Sequence, residues 1–203
     1  MKIVDQDEKG DGEIRIFGRH VMMGYLKNEQ ATIDTIDDNG YFKTGDQGRI
    51  EKGGYLKITG RIKELIITAG GENVAPVPIE DNFKIACEAC SNIMLLGENQ
   101  RFMAALITFK VDIDMTTGLP SNKLTPEVVK YIKASTGEEL KTSDEACKNQ
   151  KVFEMIQKCV NETNSKSVSK AAHLKKFKLL PTDFSQPGGE LTPTMKLKRK
   201  VTE

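Results

Sequence analysis

Three short segments contain residue types that could do chemistry, and the first is "GYFKTGDQGRI", residues 40–50. If Gly45 forms a tight turn, Asp46 presents its carboxylate to a diol. Two ribose hydroxyls donating to one ionised carboxylate make strong, charge-assisted hydrogen bonds. The plainer interpretation is a hairpin in which Gly40 and Gly45 make turns and Asp46 caps one of them. A lone Thr-Gly-Asp does not decide between the two.

The second segment is "GRIKELIITAGGENVAPVPIE", residues 60–80. Its arginine, Arg61, could reach an anionic ligand or form a surface ion pair, which contributes little to stability. Gly70 and Gly71 could simply be turn residues. The segment lacks the G-x-x-x-x-G-K-[ST] spacing of a P-loop, so the sequence does not predict that kind of phosphate site.

The third segment is "LTPTMKLKRK", residues 191–200, in which four cations lie close together: Lys196, Lys198, Arg199 and Lys200. Between residues 166 and 200 there are nine Lys or Arg and only two acidic residues. Such a run is typical of a solvated basic tail or of a nucleic-acid or membrane surface, and it can also contain a lysine that does chemistry. Taken alone, Lys196 is indistinguishable from its neighbours.

Together and in this order, the three segments resemble the motifs of the adenylate-forming superfamily, which includes acyl-CoA synthetases, luciferases and peptide-synthetase adenylation domains. "GYFKTGD" is similar to the ribose-binding aspartate motif, and "MMGYLKNEQAT" fits the stretch that precedes it. The 60–80 segment resembles the hinge-and-loop motif between a large and a small domain, and "LTPTMKLKRK" resembles the terminal motif with the catalytic lysine. "TAGGENVAPVPIE" and "GGELTPTMKLKR" are most like the bubblegum-type long-chain fatty acyl-CoA synthetases.

The resemblance implies a role for five residues. Asp46 would accept both ribose hydroxyls of ATP or of the acyl-adenylate, and Arg61 would reach the ribose or phosphate of the same nucleotide. Lys63 matches the hinge about which the small domain swings, and Gly70 lies on the loop expected to line the pantetheine tunnel. Lys196 would be the catalytic residue, whose ammonium stabilises the charge that develops at the α-phosphate. The other three cations of that segment, Lys198, Arg199 and Lys200, would be surface or adenylate-flanking charge.

The implied reaction has two stages and uses ATP (AMP), CoA and Mg²⁺. A fatty-acid carboxylate and ATP give acyl-adenylate, and the CoA thiol then displaces AMP to give the thioester. The glycine-, serine- and threonine-rich phosphate loop and the acyl pocket of the family are not in this sequence. We therefore expect the chain to be the C-terminal portion of such an enzyme, inactive without its large N-terminal domain in cis. A second departure is Met195, which precedes Lys196 where most of the superfamily has glycine.

Two alternatives stay open at this stage. Another adenylate-forming ligase, for an aryl or short-chain acid, would share the small domain. A basic binding module for nucleic acid or a membrane surface would explain the cations, but it has no reason to keep Asp46, Arg61 and Lys196 in order. Aromatic residues, which a single-strand binder needs among its cations, are few here, and Phe177 is the one that lies directly between lysines. We expect no nucleic-acid partner and leave peripheral membrane association open.

The sequence pattern around these residues predicts an α+β fold. "EIRIFG", "YLKIT" and "LKKFKLLP" alternate as half-buried strands, with turns at "GDG", "DDNG" and "KGG". "KELIIT", "NIMLLG" and "FMAALITF" predict apolar strands, and glycine and proline predict a loop over "AGGENVAPVP". Helices are predicted over "IEDNFKIACEA", over "TPEVVKYIKA" with Thr125 as N-cap and Pro126 at the first position, and over "KVFEMIQKCVNET".

This pattern divides the chain into two predicted domains. Residues 1–62 form the β-rich end of the large nucleotide-binding domain. Residues 63–203 form a small mobile C-terminal α+β domain with a short sheet and flanking helices.

Composition limits the class of protein. The chain has 203 residues, 38% of them hydrophobic, with a formal net charge of +1, which argues against a protein that coats nucleic acid. Its N-terminus has charge where a signal peptide is apolar. The four cysteines do not form a disulfide scaffold, and Cys87 and Cys90 are expected to be ordinary helix-face cysteines rather than a metal or redox pair. We therefore expect a reducing, cytoplasmic environment.

Overall fold

The computed structural model describes residues 1–167 and 169–199 and has the predicted α+β class. Its internal contacts divide the chain into two compact units, Met1–Leu65 and the part from Ile66 onward. The assignment of residues 1–62 to the end of a larger nucleotide-binding domain, and of residues 63–203 to a small mobile domain, stays a prediction.

The first unit is a four-stranded antiparallel sheet whose strands lie in chain order. The predicted alternating strands at "EIRIFG" and "YLKIT" are present, and hydrogen-bonded turns close at the three predicted glycine-containing segments. A short helix between the second and third strands was not predicted. The elements are β1 (Lys2–Val4), β2 (Gly12–Ile16), α1 (Glu29–Thr35), β3 (Phe42–Ile50) and β4 (Leu56–Arg61).

The second unit is built on a three-stranded sheet in which the middle strand is antiparallel to one neighbour and parallel to the other. All three of these strands were predicted. Two small hairpins accompany the sheet, and of their four strands only the first overlaps a predicted one. The main sheet has the order β11 (Leu174–Leu180), β8 (Met103–Phe109) and β7 (Cys90–Leu96), and the hairpins are β5 (Ile66–Ile67) with β6 (Asn73–Val74) and β9 (Val111–Ile113) with β10 (Pro120–Leu124).

Four helices belong to the second unit: α2 (Pro76–Ala86), α3 (Pro126–Thr136), α4 (Ser143–Lys148) and α5 (Gln150–Ser165). The loop predicted over "AGGENVAPVP" was wrong at two places, because β6 occupies Asn73–Val74 and α2 begins at Pro76. A proline is tolerated in the first helical turn, where the N–H groups have no intrahelical acceptor. "KELIIT" is also only partly a strand, since a 3₁₀ turn occupies Ile62–Glu64 before β5.

Apolar side chains alternate along β7 and cover both faces of the sheet. Ile93 and Leu95 belong to the main core, with Phe83 of α2 and Ile156 of α5. Met94 points into a second cluster on the opposite face. That cluster consists of Met94, Phe184 and Leu191, with the partly buried Leu96, Leu106, Leu180 and Leu197 against it. The segment after β11 therefore covers the second face of the sheet, as the helices cover the first.

The prediction that Cys87 and Cys90 lie on a helix face was wrong. Cys87 is the C-cap of α2, where its N–H donates to the carbonyl of Phe83, and Cys90 begins β7. Both thiols are free and buried. Burial raises the pKa of Cys90 to about 12, so this thiol stays protonated at neutral pH.

Candidate active site

Asp46 lies within strand β3 and not on a turn, so the expectation of a Gly45 turn was wrong. Thr44, Gly45 and Asp46 all lie opposite the single residue Ile14 of β2, which makes the segment a β-bulge. Gly45 has φ +71°, a left-handed conformation that a residue without Cβ adopts at low cost. The bulge is held by the Thr44 hydroxyl, which donates to the Ile14 carbonyl at 2.7 Å and accepts from the Asp46 N–H at 3.0 Å.

The structure brings Asp46 and Arg61 together as directly opposed residues of β3 and β4. Arg61 Nε lies 3.3 Å from Asp46 Oδ1, and Arg61 Nη1 lies 3.9 Å from Glu64 Oε1. The two paired side chains are 57% and 33% exposed, so solvent screens their attraction and the pair contributes little to stability. Both groups can therefore exchange part of this contact for a ligand that offers hydroxyls to the carboxylate and an anion to the guanidinium.

Lys63 lies in the 3₁₀ turn Ile62–Glu64, directly after β4. Its side chain is exposed, and the turn is closed by a long hydrogen bond of 3.4 Å from the Leu65 N–H to the Ile62 carbonyl. The two compact units divide after Leu65. Lys63 is thus in a weakly held connection, close to the division between the units.

Gly70 is exposed in the loop of the β5–β6 hairpin. The loop is closed by a hydrogen bond from the Gly71 N–H to the Thr68 carbonyl, and Gly71 has φ +78°. Gly71 therefore has a backbone reason to be glycine. Gly70 does not have a positive φ, and a Cβ added to it would meet only the Thr68 hydroxyl, at 3.8 Å. Within the second unit, the fold gives no steric reason for glycine at position 70.

Lys196 is held on a small hairpin that spans Leu191–Leu197. Leu191 and Leu197 form an isolated antiparallel bridge, and the Thr192 N–H donates to the Lys196 carbonyl at 2.8 Å. The Lys196 N–H in turn donates to the Thr192 hydroxyl at 3.0 Å. Among residues 1–167 and 169–199 no ion pair holds the exposed ammonium of Lys196. The backbone is fixed while the charged group remains available.

Met195, which directly precedes Lys196, has φ +60°. It therefore lies in the left-handed region, where a side chain costs roughly 1–2 kcal/mol and glycine does not. The departure noted in the sequence falls at a position whose backbone favours glycine. The hairpin keeps this turn because backbone hydrogen bonds join its two sides and Leu191 and Leu197 form a bridge at its ends.

The sequence interpretation was wrong about Arg199, which was expected to be surface or adenylate-flanking charge. Arg199 Nη1 donates to Glu80 Oε1 at 2.8 Å and Nη2 donates to Glu80 Oε2 at 2.6 Å. The sequence held one signal for this pair. Glu80 lies between the buried Ile79 and Phe83 on α2, and a carboxylate on a buried face requires a partner. The same expectation for Lys200 falls outside the described residues.

Two features are absent from the described part of the chain. No group of three or more His, Cys, Asp or Glu side chains comes together there as a metal site. No helix in residues 1–167 and 169–199 is long and apolar enough to cross a membrane.

Comparison with known proteins adds the following findings. The profile of the AMP-binding enzyme C-terminal domain family matches residues 63–179. The long-chain-fatty-acid–CoA ligase ACSBG2 of Gallus gallus is 48% identical over 196 residues, which is 96% of this chain and 26% of that protein. The long-chain-fatty-acid–CoA ligase ACSBG1 of Homo sapiens is 42% identical over 201 residues, 98% of this chain and 28% of that protein. The chain spans about a quarter of the length of these relatives.

Two solved structures share the fold. The adenylation domain of the carboxylate reductase of Mycobacterium chelonae matches with a TM-score of 0.69 and 21% identity, over 95% of this chain and 26% of that one. The corresponding domain from Segniliparus rugosus, determined in complex with AMP and a co-purified carboxylic acid, matches with a TM-score of 0.69 and 18% identity, again over 95% and 26%.

Proposed function

The chain belongs to the family of AMP-binding enzyme C-terminal domains, and from this premise we propose that it is the C-terminal part of a long-chain fatty acid–CoA ligase. The observation that carries the proposal is the similarity of almost the whole chain, at 48% identity, to a ligase of that class. The activity requires an upstream large domain in cis, and we expect the chain alone to be inactive.

In the proposed reaction each unit supplies different groups. Asp46 and Arg61 bind the nucleotide, the first through the ribose hydroxyls and the second through ribose or phosphate. Lys196 stabilises the negative charge that builds up as the fatty-acid carboxylate attacks the α-phosphate and pyrophosphate leaves. Support for a nucleotide site comes from the AMP bound by the Segniliparus rugosus adenylation domain, which shares the fold. Mg²⁺ would accompany the triphosphate, and we assign it to no residue of this chain.

The second stage uses the other face of the small domain. We propose that the Gly70 loop then lines the path of the CoA pantetheine, where a side chain would obstruct the thiol. The proposal is supported by the absence of a steric reason for glycine at this position in the fold of the second unit. We also propose a cytoplasmic location, because the cysteines indicate a reducing environment. Attachment to a membrane surface is tested separately, by measuring binding to vesicles.

The proposal is tested in a reconstituted enzyme, in which the upstream part of the Gallus gallus ligase is followed by this chain. Palmitate-dependent ATP–pyrophosphate exchange and palmitoyl-CoA formation are the expected results. Exchange with benzoate or acetate in place of palmitate would favour the aryl or short-chain alternative. If exchange is absent and the isolated chain binds heparin or anionic vesicles in a salt-sensitive manner, the basic binding module is favoured instead.

Replacing Asp46 by alanine or asparagine should raise the KM for ATP by about tenfold or more, because a charge-assisted hydrogen bond is worth roughly 1.5–3 kcal/mol. The measurement is the ATP dependence of initial exchange rates in the reconstituted enzyme. Asp38, which is exposed on the turn before β3, provides the control. An unchanged KM in the Asp46 variants, matching that of Asp38→Ala, would remove Asp46 from the nucleotide site.

Replacing Lys63 by proline should leave ATP–pyrophosphate exchange near its normal rate and slow thioester formation by about an order of magnitude. Proline fixes φ near −65° and so restricts the change in backbone dihedrals that swings the small domain. The two half-reactions are measured separately, with Lys63→Ala as the control that removes the side chain and keeps the backbone free. Equal losses in both half-reactions would contradict a hinge at this residue.

A further inference from the structure

Arg199 lies two residues after the Leu191–Leu197 hairpin that carries Lys196, and it forms a buried pair with Glu80 of α2. We infer that this pair is a positioning device for Lys196 in the adenylation half-reaction: the fork of Arg199, locked onto α2, fixes where the Lys196 ammonium can reach. The inference rests on the proposed function of Lys196 and adds two residues to it.

The geometry of the pair is that of a rigid anchor. Each terminal nitrogen of Arg199 donates to one carboxylate oxygen of Glu80, Nη1 to Oε1 at 2.8 Å and Nη2 to Oε2 at 2.6 Å. Glu80 Oε1 also accepts from the Leu95 N–H of β7 at 2.8 Å. The two charged side chains are only 17% and 9% exposed, so water and salt screen the pair poorly. A planar guanidinium held at two points has little rotational freedom.

The anchor reaches Lys196 through a short connection. Arg199 is three residues after Lys196, and three residues span at most about 10 Å of extended chain. Along that connection the Lys198 N–H donates to the Glu190 carbonyl at 2.8 Å, and Leu197 packs against the second apolar cluster. The hairpin is thereby tied to α2 on its C-terminal side and to the sheet through Leu191 and Leu197.

A purely structural role is the competing explanation, since a buried ion pair that loses one partner destabilises the fold whether or not a lysine lies nearby. The two explanations differ in which reaction they affect. A positioning residue acts only where Lys196 acts, and a displacement on the order of 1 Å costs on the order of 10²-fold in rate. A structural residue lowers both half-reactions together, in proportion to the folded fraction.

The experiment uses Arg199→Lys and Glu80→Gln in the reconstituted enzyme. Lysine keeps the positive charge and loses the fork, and glutamine keeps an acceptor for the Leu95 N–H and loses the negative charge. Arg101→Lys, at an exposed position, is the matched control. Thermal melts set an assay temperature at which every variant is folded. We expect exchange to fall about tenfold to a hundredfold in both variants, with thioester formation from supplied acyl-adenylate unchanged.

A double-mutant cycle completes the test. In a Lys196→Ala background, Arg199→Lys should have no further effect on exchange, because a residue that acts through Lys196 has nothing left to position. Equal loss in both half-reactions, an effect that persists without Lys196, or unchanged exchange in both single variants would each overturn the inference. These outcomes differ from failure of the proposed function, in which Lys196→Ala itself leaves exchange intact.

Discussion

Lys196→Ala should slow fatty-acid-dependent ATP–pyrophosphate exchange by 10²–10³-fold, the usual loss when one preorganised charge-stabilising donor is removed. The ammonium matters in the transition state, where the α-phosphate carries additional negative charge, and much less when substrates are merely bound. The loss should therefore fall on kcat, with KM for ATP and palmitate little changed. Lys175→Ala, an exposed lysine on β11, serves as the control and should retain full exchange.

Thioester formation gives the complementary half of this prediction. When palmitoyl-adenylate is supplied, the Lys196→Ala enzyme should form palmitoyl-CoA at close to the normal rate, because no pyrophosphate leaves in that step. Loss of both activities would mean that Lys196 supports the fold or both reactions. Normal exchange in Lys196→Ala would show that the role assigned to this residue is wrong.

Phe83→Ala should lower the free energy of unfolding of the second unit by about 3–5 kcal/mol, the typical cost of an aromatic-to-alanine change in a core. Phe83 is fully buried on α2 and belongs to the core cluster that joins this helix to the sheet and to α5. Truncation removes the transfer free energy of the ring and leaves a cavity that the surrounding helices fill only partly. An effect of this size is a large share of the stability of a small domain.

Urea unfolding followed by circular dichroism at 222 nm measures this change on the isolated chain. The chain has no Trp, but four of the five α-helices in residues 1–167 and 169–199 belong to the second unit, so the helical signal reports mainly on that unit. Phe102→Ala is the control, because Phe102 is 39% exposed and the Lys176 ammonium lies over its ring, 5.1 Å from the centroid. We expect a change of about 1 kcal/mol or less there. Equal changes in the two variants would contradict the packing described for α2.

Periodicity predicted the elements whose burial is one-sided or complete. The alternation in "LKKFKLLP" identified β11, because successive side chains of a strand point to opposite faces of its sheet. The stripe of Val152, Ile156 and Val160 identified α5, because residues four apart lie on one face of a helix. The β9–β10 hairpin was not predicted, because β10 has the sequence "PSNKL" and most of these residues are uncommon in strands. Helix α4 is too short for a periodic signal, although its capping box of Thr142 and Glu145 was readable in the sequence.

The site was predictable only as far as local motifs extend. Asp46 and Arg61 were identified from their segments, and they face each other because β3 and β4 are neighbours in an antiparallel sheet. The bulge at Gly45 depends on the register between β2 and β3, which no local pattern specifies. The Glu80–Arg199 pair joins residues separated by 119 positions. This contact depends on the path of the terminal segment across the sheet. The number and spacing of charged residues in the sequence therefore do not predict it.

The second apolar cluster has a consequence for the order in which this unit can form during synthesis. Its strand residues, among them Met94 and Leu106, precede in the chain the residues that cover them, Phe184, Leu191 and Leu197. A nascent chain that has already paired its three strands and packed its helices therefore still presents an apolar sheet face to water. Surfaces of this kind recruit chaperones and promote aggregation. The segment that carries Lys196 thus also ends the period during which the new domain is vulnerable.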